Sequence, residues 1–415
     1  MKAKRSLTPS VLPVVLGTDL NAYGVAIQFY EAFGIKSRAI GKGRLIFTEK
    51  SSIIDVVTFP DFDKPDVFAE VMQAQGKRWR AEYDHLILLA ANDNYAELAI
   101  EHQEILAPYF HLPFARKALM DQLILKAHFY GLCETHGLPY PKTVIVRQSD
   151  APFELKLPFG FPVIAKPSNS TTYFTLDFKG KEKAFFVPDA ARLREVLQLV
   201  YANGYDDAFI IQDYIPGDDT AGLVVNAYVN ANSDVKMISI VQPILEDPTP
   251  IYIGNYAAIR DTWQPEVEAI LSKFLKGIGY TGMANFDLKY DKRDGQYKVF
   301  ELNLRQGRAS GYTRLDGCNL AEALVDDFVL HNDVACVRSS GEPYLWLSVP
   351  PEVAVKFTEK EDVRAYAERM IKERRYDVGY RYAKDKSMAR RLVLAQYERM
   401  LRSRYDEYFV ARGSR

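Results

Sequence analysis

Apolar runs and amphipathic stretches alternate over the first hundred residues of the chain. Residues 11–17, VLPVVLG, are apolar up to a final glycine, which is typical of a strand buried in a parallel sheet. Apolar residues then recur at helical spacing as far as Phe33, and Gly34 ends that helix. The same alternation predicts strands at 35–40, 53–59 and 85–90 and helices at 68–75 and 94–106. Strands separated by helices predict a parallel α/β domain.

The middle of the chain combines helical patterns with strands and turns. A helical pattern over 114–138 runs into the breakers Gly137, Pro139 and Pro141. Downstream patterns predict strands at 143–146, 163–166, 208–211 and 223–230, and a helix at 190–202. Two further strands, 285–290 and 297–303, flank Asp294-Gly295, which is a strong hairpin signal.

The last eighty residues are mainly helical in pattern. Residues 361–375 and 386–409 combine many Lys and Arg residues with apolar positions at helical spacing. We interpret this region as a helical appendage packed on the body of the protein. The functional alternative is a cationic surface that meets a phosphorylated precursor or the membrane face.

Composition excludes several classes of protein. The formal net charge of -1 over 415 residues gives no global field that favours nucleic acid. The apolar start of the chain is too short for a signal peptide or a membrane span, and no later stretch approaches a spanning helix. Cys133, Cys318 and Cys336 show neither a CxxC spacing nor an even count, so we expect buried thiols in a reducing compartment. The predicted location is the cytoplasm, without a nucleic-acid partner or a transmembrane segment.

Standard phosphate-binding loops are missing from the sequence. The turn at 17–24, GTDLNAYG, does not match GxGxxG, and no GxxxxGK[ST] occurs in the chain. A tight strand-to-helix turn is the favoured interpretation. The helix that begins there could still hold a substrate carboxylate or phosphate at its N-terminus. The segment AANDNYAEL, 90–98, has a similar pattern, and helix capping explains its polar residues well.

Lys166 is the first candidate for a ligand-binding residue. It ends an apolar strand and enters a loop of small polar residues, PSNSTT. A lysine within such a strand needs an anionic partner, and a triphosphate is one. A second polar segment, QDYIPGDDT at 212–220, follows another strand, and in isolation it is an acidic hairpin turn.

The predicted hairpin carries the second candidate site. Asp287 lies on its first strand, and Glu301 and Asn303 share one face of the returning strand. Two carboxylates and an amide oxygen on adjacent strands suit Mg²⁺ with bound phosphates, whereas facing acids without a cation would repel each other. A solvated hairpin is the alternative, but it explains poorly why apolar MANF and VFEL segments carry these polar positions.

Taken in order, Lys126, Lys166, QDYIPGDD, Asp287 and ELNLRQG resemble the ATP-grasp superfamily over roughly residues 116–328. The parallel region before them resembles the domain that usually precedes an ATP-grasp domain. The implied fold class is α/β, with α+β character in the ATP-grasp part. The implied domains are a parallel α/β domain at 1–115, an ATP-grasp domain at 116–334 and a mainly helical extension at 335–415.

A closer resemblance, to the D-aspartate ligases of lactic acid bacteria and enterococci, covers more of the chain. It rests on VVLGTDLNAYGVAIQFYEAFGIKS, the helix before GLPYPKT, IIQDYIPGDDT, LEDPTPIYIGNYAAI, NFDLKYD and FELNLRQGR. The resemblance implies ATP and Mg²⁺ as cofactors. It also implies that the β-carboxylate of D-aspartate is joined to the lysine side chain of a peptidoglycan precursor, a nucleotide- or lipid-linked pentapeptide.

The resemblance also assigns residues to roles. Lys126 and Lys166 match the lysines that contact ATP phosphates, and residues 168–172, with Ser168 and Ser170, match the loop that closes over them. The hinge that reads adenine and the acid that holds the ribose correspond to Gln212, Asp213, Tyr214, Ile215 and Asp219, with Asp218 as a substitute for the last. The magnesium ligands correspond to Asp287, Glu301 and Asn303. Asn285 stands where many members have an arginine, so our candidates for oxyanion stabilisation are Arg305, Arg308 and Arg260, in that order.

The implied mechanism has two steps. The carboxylate attacks the γ-phosphate to give an acyl phosphate and ADP, and the amine then displaces phosphate. Two alternatives stay open, an ATP-grasp ligase for another amino acid or dipeptide and a nucleotide-binding regulatory protein. The intact set Asp287, Glu301 and Asn303 argues against the second.

Overall fold

The computed structural model describes residues 5–150, 155–249, 252 and 254–412, apart from the side chains of 170, 171, 174 and 410–412. The chain divides into two compact units. Unit 1 contains Met1–Lys117, Asp219–Asp287 and Leu302–Arg415, and unit 2 contains Ala118–Asp218 and Leu288–Glu301. The units do not run consecutively along the chain, and the predicted domain boundaries at 115 and 334 stay predictions.

The predicted parallel sheet is confirmed in unit 1, with the strand order β3-β2-β1-β4. Its elements are β1 (Val11–Leu16), α1 (Leu20–Phe33), β2 (Ser37–Gly41), β3 (Ile54–Thr58), α2 (Pro65–Arg80), β4 (His85–Ala90), α3 (Asp93–Glu101) and α4 (Gln103–Leu106). The turn from β1 into α1 requires Gly17, because its φ is 115° and a Cβ there would lie 2.8 Å from the Ala91 Cβ. Asp19 caps α1 by accepting a hydrogen bond from the Ala22 backbone N–H.

Two helices that the pattern predicts as continuous are divided in the structure. The segment 94–106 breaks at His102 into α3 and α4. The segment 114–138 becomes α5 (Lys117–Leu123) and α6 (Lys126–His136), because Leu125 has an extended backbone. Apolar spacing continues across both breaks, so the pattern could not show them.

A second, mixed sheet has the order β13-β12-β9-β10-β11-β15-β16, with β14 paired to β10. Its strands and intervening helices are β9 (Gly222–Val229), β10 (Val235–Glu246), β11 (Tyr256–Asp261), α9 (Pro265–Gly277), β12 (Gly282–Asp291), β13 (Gln296–Asn303), α10 (Leu320–Phe328), β14 (Val337–Arg338), β15 (Leu345–Leu347) and β16 (Tyr376–Val378). The predicted hairpin is confirmed as β12 and β13, joined by a turn in which Gly295 has a φ of 72°.

Unit 2 is built around an antiparallel sheet of order β5-β8-β6-β7. Its elements after α6 are β5 (Thr143–Val146), β6 (Val163–Pro167), α7 (Ser170–Thr175), β7 (Phe185–Val187), α8 (Ala190–Ala202) and β8 (Phe209–Asp213). Val163 and Ala165 on β6 join Val196 and Val200 of α8 in the core of this unit. Alternation along β6 therefore turns Lys166 away from that core.

The last segment of the chain contains the predicted helices and also supplies strands. Its helices are α11 (Pro351–Phe357), α12 (Glu361–Lys372) and α13 (Met388–Arg412). Trp346 of β15 and Leu401 of α13 are 1% exposed and share one core with Ile259 of β11. No helix in the described part of the chain is long and apolar enough to cross a membrane.

The three cysteines are free thiols. Cys133 and Cys318 are buried, as predicted, but the expectation is wrong for Cys336, which is partly exposed. Cys336 immediately precedes β14, whose two residues are both exposed, and its thiol is therefore only partly buried.

Candidate active site

Lys126 and Glu301 form an ion pair within unit 2. Lys126 begins α6, and its Nζ lies 3.0 Å from the Glu301 Oε1 on β13. The Glu301 side chain is 40% exposed, whereas that of Lys126 is only 14% exposed. The charge of Lys126, with Lys166 adding to it, lowers the pKa of Glu301 to about 2, so this carboxylate is ionised at neutral pH.

Lys166 lies in the same unit and is held by neutral groups. Its Nζ donates to the Gln212 Oε1 at 3.1 Å and to the Tyr130 hydroxyl at 3.4 Å. Gln212 is oriented by its own Nε2, which donates to the Thr143 hydroxyl at 3.0 Å. Burial, reinforced by the charge of Lys126, lowers the pKa of Lys166 to about 7. A bound anion near the Lys166 ammonium would stabilise its charged form and raise its pKa again.

The segment predicted as the adenine hinge leaves the end of β8. The Asp213 carboxylate accepts two hydrogen bonds from the Arg293 guanidinium, at 3.2 and 2.9 Å. The Tyr214 ring packs edge-on against Phe186, and the Lys289 Nζ lies 5.5 Å from its centroid. Ile215 is buried. The side chains of Gln212 and Asp213 are thus engaged with other protein groups.

The predicted phosphate loop is short and partly helical. Ser168 is buried, and its backbone N–H donates to the Ala208 carbonyl at 3.0 Å. Asn169 caps α7 through the Thr172 N–H. Ser170 begins α7, but its side chain lies outside the described part of the structure.

Asp219 belongs to unit 1, where it begins a 3₁₀ turn, Asp219–Ala221. Its Oδ2 accepts a hydrogen bond from the Glu246 backbone N–H at 2.9 Å. Asp218, the substitute for the ribose role, is exposed.

Two of the predicted metal ligands, Asp287 and Asn303, are brought together within unit 1. The Asn303 Nδ2 donates to the Asp287 Oδ2 at 3.4 Å and to the Asn285 Oδ1 at 3.1 Å. The other oxygen of Asp287 accepts from the Tyr256 hydroxyl at 3.1 Å. Tyr256 was not among the predicted site residues, because its partner lies thirty-one residues away on another strand.

The three candidate arginines, all in unit 1, have different surroundings. Arg305 forms an ion pair with Asp93, with its Nε 2.8 Å from the Oδ1. The Arg260 Nε donates to the Gln242 Oε1 at 2.6 Å. Arg308 is partly exposed and forms no ion pair within 4 Å among the described residues. It lies in electrostatic range of Asp19, whose pKa is raised by burial although Arg308 opposes that shift.

Comparisons with known proteins give one close relative and many remote ones. No protein-family model matches the chain. The chain is 40% identical over 406 residues to the D-aspartate ligase of Enterococcus faecium (strain Aus0004), a match that covers 96% of each protein. One segment behind the predicted resemblance, LEDPTPIYIGNYAAI, includes residues 250, 251 and 253, which lie outside the described residues.

The similar solved structures agree on the fold. The ADP complex of an N5-carboxyaminoimidazole ribonucleotide synthetase is 12% identical with a TM-score of 0.58, and 82% of each chain is covered. Biotin carboxylase from Campylobacter jejuni, in complex with β,γ-ATP, is 13% identical with a TM-score of 0.55, covering 76% of this chain and 70% of the other. An L-amino acid ligase from Bacillus licheniformis is 16% identical with a TM-score of 0.53, covering 77% and 74%. At these identities the likeness concerns the fold alone.

Proposed function

The chain belongs to the D-aspartate ligase family of the ATP-grasp superfamily, and from this premise we propose that it joins the β-carboxylate of D-aspartate to the lysine side-chain amine of a peptidoglycan precursor. The observation that carries the proposal is the 40% identity across 96% of both chains. An identity of this extent includes the parallel domain and the C-terminal segment as well as the ATP-grasp part.

The lysines of unit 2 fit a nucleoside triphosphate. Lys126 and Lys166 lie near a single carboxylate, Glu301, and Lys183 adds a further positive charge in electrostatic range. Lys166 is buried and its ammonium donates to two neutral groups, Tyr130 and Gln212, so a charged hydrogen-bond partner would stabilise it. Phosphate oxygens would supply that partner, so we assign both lysines to the β- and γ-phosphates.

We assign Mg²⁺ to Asp287, Glu301 and Asn303. Asp287 and Asn303 are hydrogen-bonded within unit 1, and Glu301 is held ionised within unit 2. In the described ranges, no three His, Cys, Asp or Glu side chains are grouped to hold a metal ion. Mg²⁺ would therefore need phosphate and water oxygens as well, which is its usual behaviour in nucleotide sites. When bound, it neutralises charge on the phosphates.

The proposed reaction has two steps. A β-carboxylate oxygen of D-aspartate attacks the γ-phosphorus, the bond to the β,γ-bridging oxygen breaks, and ADP leaves. The neutral lysine amine attacks the acyl carbon, inorganic phosphate leaves, and the nitrogen loses a proton. Lys126 and Lys166 hold the phosphates in line and offset the growing negative charge.

The α-carboxylate of aspartate needs a cation of its own. Arg305 and Arg260 are engaged with Asp93 and Gln242, whereas Arg308 has no carboxylate partner within 4 Å in the described chain. We therefore assign Arg308 to the α-carboxylate, which a guanidinium can bind through two parallel hydrogen bonds.

The test of the proposed function is mass spectrometry of the acceptor after incubation with ATP, magnesium and either enantiomer of aspartate. We expect one aspartyl residue to be added to the lysine from D-aspartate and none from L-aspartate. Nucleotide-linked and lipid-linked pentapeptides are compared as acceptors. We propose the cytoplasm as the location, because the proposed reaction consumes ATP. Glu301→Gln should lower turnover more than about tenfold while the protein stays folded. Equal use of both enantiomers would overturn the substrate assignment, and normal turnover by Glu301→Gln would overturn the metal assignment.

A further inference from the structure

Two side chains outside the proposed metal set hold two of its members in place. We infer that Asn285 and Tyr256 are positioning residues, which orient the Asn303 amide and the Asp287 carboxylate for a divalent cation. The inference rests on the proposed function, and all four residues lie within unit 1.

The orientation of the Asn303 amide decides whether it can act as a ligand. A side-chain amide has an oxygen that can bind a cation and an NH₂ group that cannot. The Asn303 Nδ2 donates to Asn285 and Asp287, so both of its N–H groups have acceptors and its Oδ1 faces away from them. The opposite orientation would place the Oδ1 against two oxygens and turn the NH₂ group to the cation.

Asn285 can impose this orientation because its own amide is fixed. It is 3% exposed, and its Nδ2 donates to the Val225 carbonyl at 3.1 Å, which leaves its Oδ1 to accept from Asn303. Gly307 packs on the same amide so closely that a Cβ there would lie 2.8 Å from the Asn285 Nδ2. The Gly307 N–H is held in turn by the Asn226 Oδ1 at 2.7 Å. Buried backbone and side-chain groups thus determine which atom Asn303 presents.

Tyr256 fixes the second ligand. Its hydroxyl donates to one oxygen of Asp287, while Asn303 donates to the other, so rotation of the carboxylate is restrained. An ionised carboxylate can only accept hydrogen bonds, so the Tyr256 hydroxyl is the donor in this contact. A carboxylate oxygen that accepts a hydrogen bond can still bind a cation.

Mg²⁺ is sensitive to such restraint because it requires near-octahedral geometry with short metal–oxygen distances. Groups that orient metal ligands typically change metal affinity by about tenfold to a hundredfold when they are removed. Asn285 and Tyr256 should therefore act on metal binding more than on nucleotide binding.

The first experiment is Mn²⁺ binding to the full-length protein with ADP, measured by electron paramagnetic resonance, with ADP binding in EDTA as the second readout. Asn285→Leu should weaken Mn²⁺ binding by about tenfold to a hundredfold, with metal-free ADP affinity within about twofold. Unchanged Mn²⁺ affinity would overturn the inference. An equal loss of both affinities would also overturn it, by showing a merely structural role.

A double-mutant cycle tests the orientation argument directly. In Asn303→Asp, a carboxylate presents an oxygen whichever way it is turned, so Asn285 should no longer be needed. In the Asn303→Asp background, Asn285→Leu should therefore weaken Mn²⁺ binding by less than about threefold. Such a difference between the two backgrounds shows that residues 285 and 303 are coupled, because the effects of independent sites simply add. The same loss in both backgrounds would overturn the orientation argument.

Tyr256→Phe keeps the packing and covers the case in which Asn285→Leu fails to fold. We expect weaker Mn²⁺ binding from it. Its matched control is Tyr280→Phe, which removes another buried hydroxyl in unit 1, one that donates to the Met283 carbonyl. The control should leave Mn²⁺ affinity unchanged, and equal effects of the two variants would overturn the role of Tyr256. Asp287→Asn distinguishes failure of the proposed metal site from failure of the positioning role. Unchanged Mn²⁺ affinity in this variant would refute the metal site itself.

Discussion

At the scale of single residues, Lys166 shows how surroundings set the state of a side chain. Its ammonium faces an amide oxygen and a phenol rather than a carboxylate, and Lys126 lies in electrostatic range. Burial therefore lowers the pKa of Lys166 to about 7. Between about pH 7 and the ordinary lysine pKa of 10.5, the Lys166 side chain binds more protons in the unfolded chain than in the folded protein. The free energy of unfolding of the nucleotide-free protein therefore gains a contribution from Lys166 that increases with pH over this window.

We predict that ADP binding takes up close to one proton through Lys166 at pH 8. The amine is mostly neutral in the free protein at that pH, and the phosphates favour its charged form. The measurement is calorimetry in two buffers of different ionisation enthalpy. Uptake should decline as the pH falls through about 7 and be small below pH 6, where the free protein already carries the proton.

Lys166→Arg is the control for this prediction, since its guanidinium stays charged at every working pH. The variant should bind ADP without uptake that depends on pH, although with altered affinity because the fork differs from the ammonium in shape. Equal uptake by both proteins would assign the proton to another group.

At the scale of elements, a buried polar cluster anchors the start of α13. The Arg390 Nε lies 3.3 Å from the Asp385 Oδ2, and both side chains are nearly fully buried. Asp385 also accepts from the Tyr23 hydroxyl at 2.9 Å and from the Ser51 hydroxyl at 2.7 Å. The Arg390 Nη2 donates to the Tyr380 carbonyl at 2.9 Å. The cluster thus fixes the last helix against α1 and the loop before β3.

Arg390→Met should reduce the free energy of unfolding by about 3–5 kcal/mol, because it leaves the Asp385 charge buried without its partner. Arg391→Met is the matched control, since Arg391 is the next residue and is exposed. Its effect should stay within about 0.5 kcal/mol. Urea unfolding followed by circular dichroism measures both. A loss below about 1 kcal/mol for Arg390→Met would contradict the anchoring role.

At the scale of the whole molecule, unit 1 is assembled from three separate stretches of the chain. The last stretch contributes β14, β15 and β16 to the mixed sheet, in addition to its helices. Trp346 and Leu401 come from this stretch and share a core with Ile259. The C-terminal segment is therefore part of the body of unit 1.

A chain that ends at residue 334 should fail to fold, because it loses three strands and exposes the core shared by β11, β15 and α13. We expect little soluble protein and no ADP binding. A chain that ends at residue 412 keeps every described helix and strand and serves as the control. Normal ADP binding by the shorter chain would show that the segment is a separable appendage.

The sequence by itself determined the local features of this protein. Gly17 marked the turn into α1, Asp294-Gly295 marked the hairpin, and period-two alternation placed Glu301 and Asn303 on one face. These signals are local, since turn conformation and strand alternation depend on residues a few positions apart. The order of the motifs also indicated the family, which the comparison with the Enterococcus faecium enzyme confirmed.

Only the tertiary structure decided which groups meet. Lys126 pairs with Glu301, Tyr256 donates to Asp287, and Arg305 is engaged by Asp93, although long stretches of chain separate the partners. The three-residue strand β15 is buried throughout and shows no alternation, so only its pairing with β11 and β16 identifies it. Such contacts depend on how elements far apart in the sequence pack together, so the periodicity of apolar residues along the chain cannot predict them.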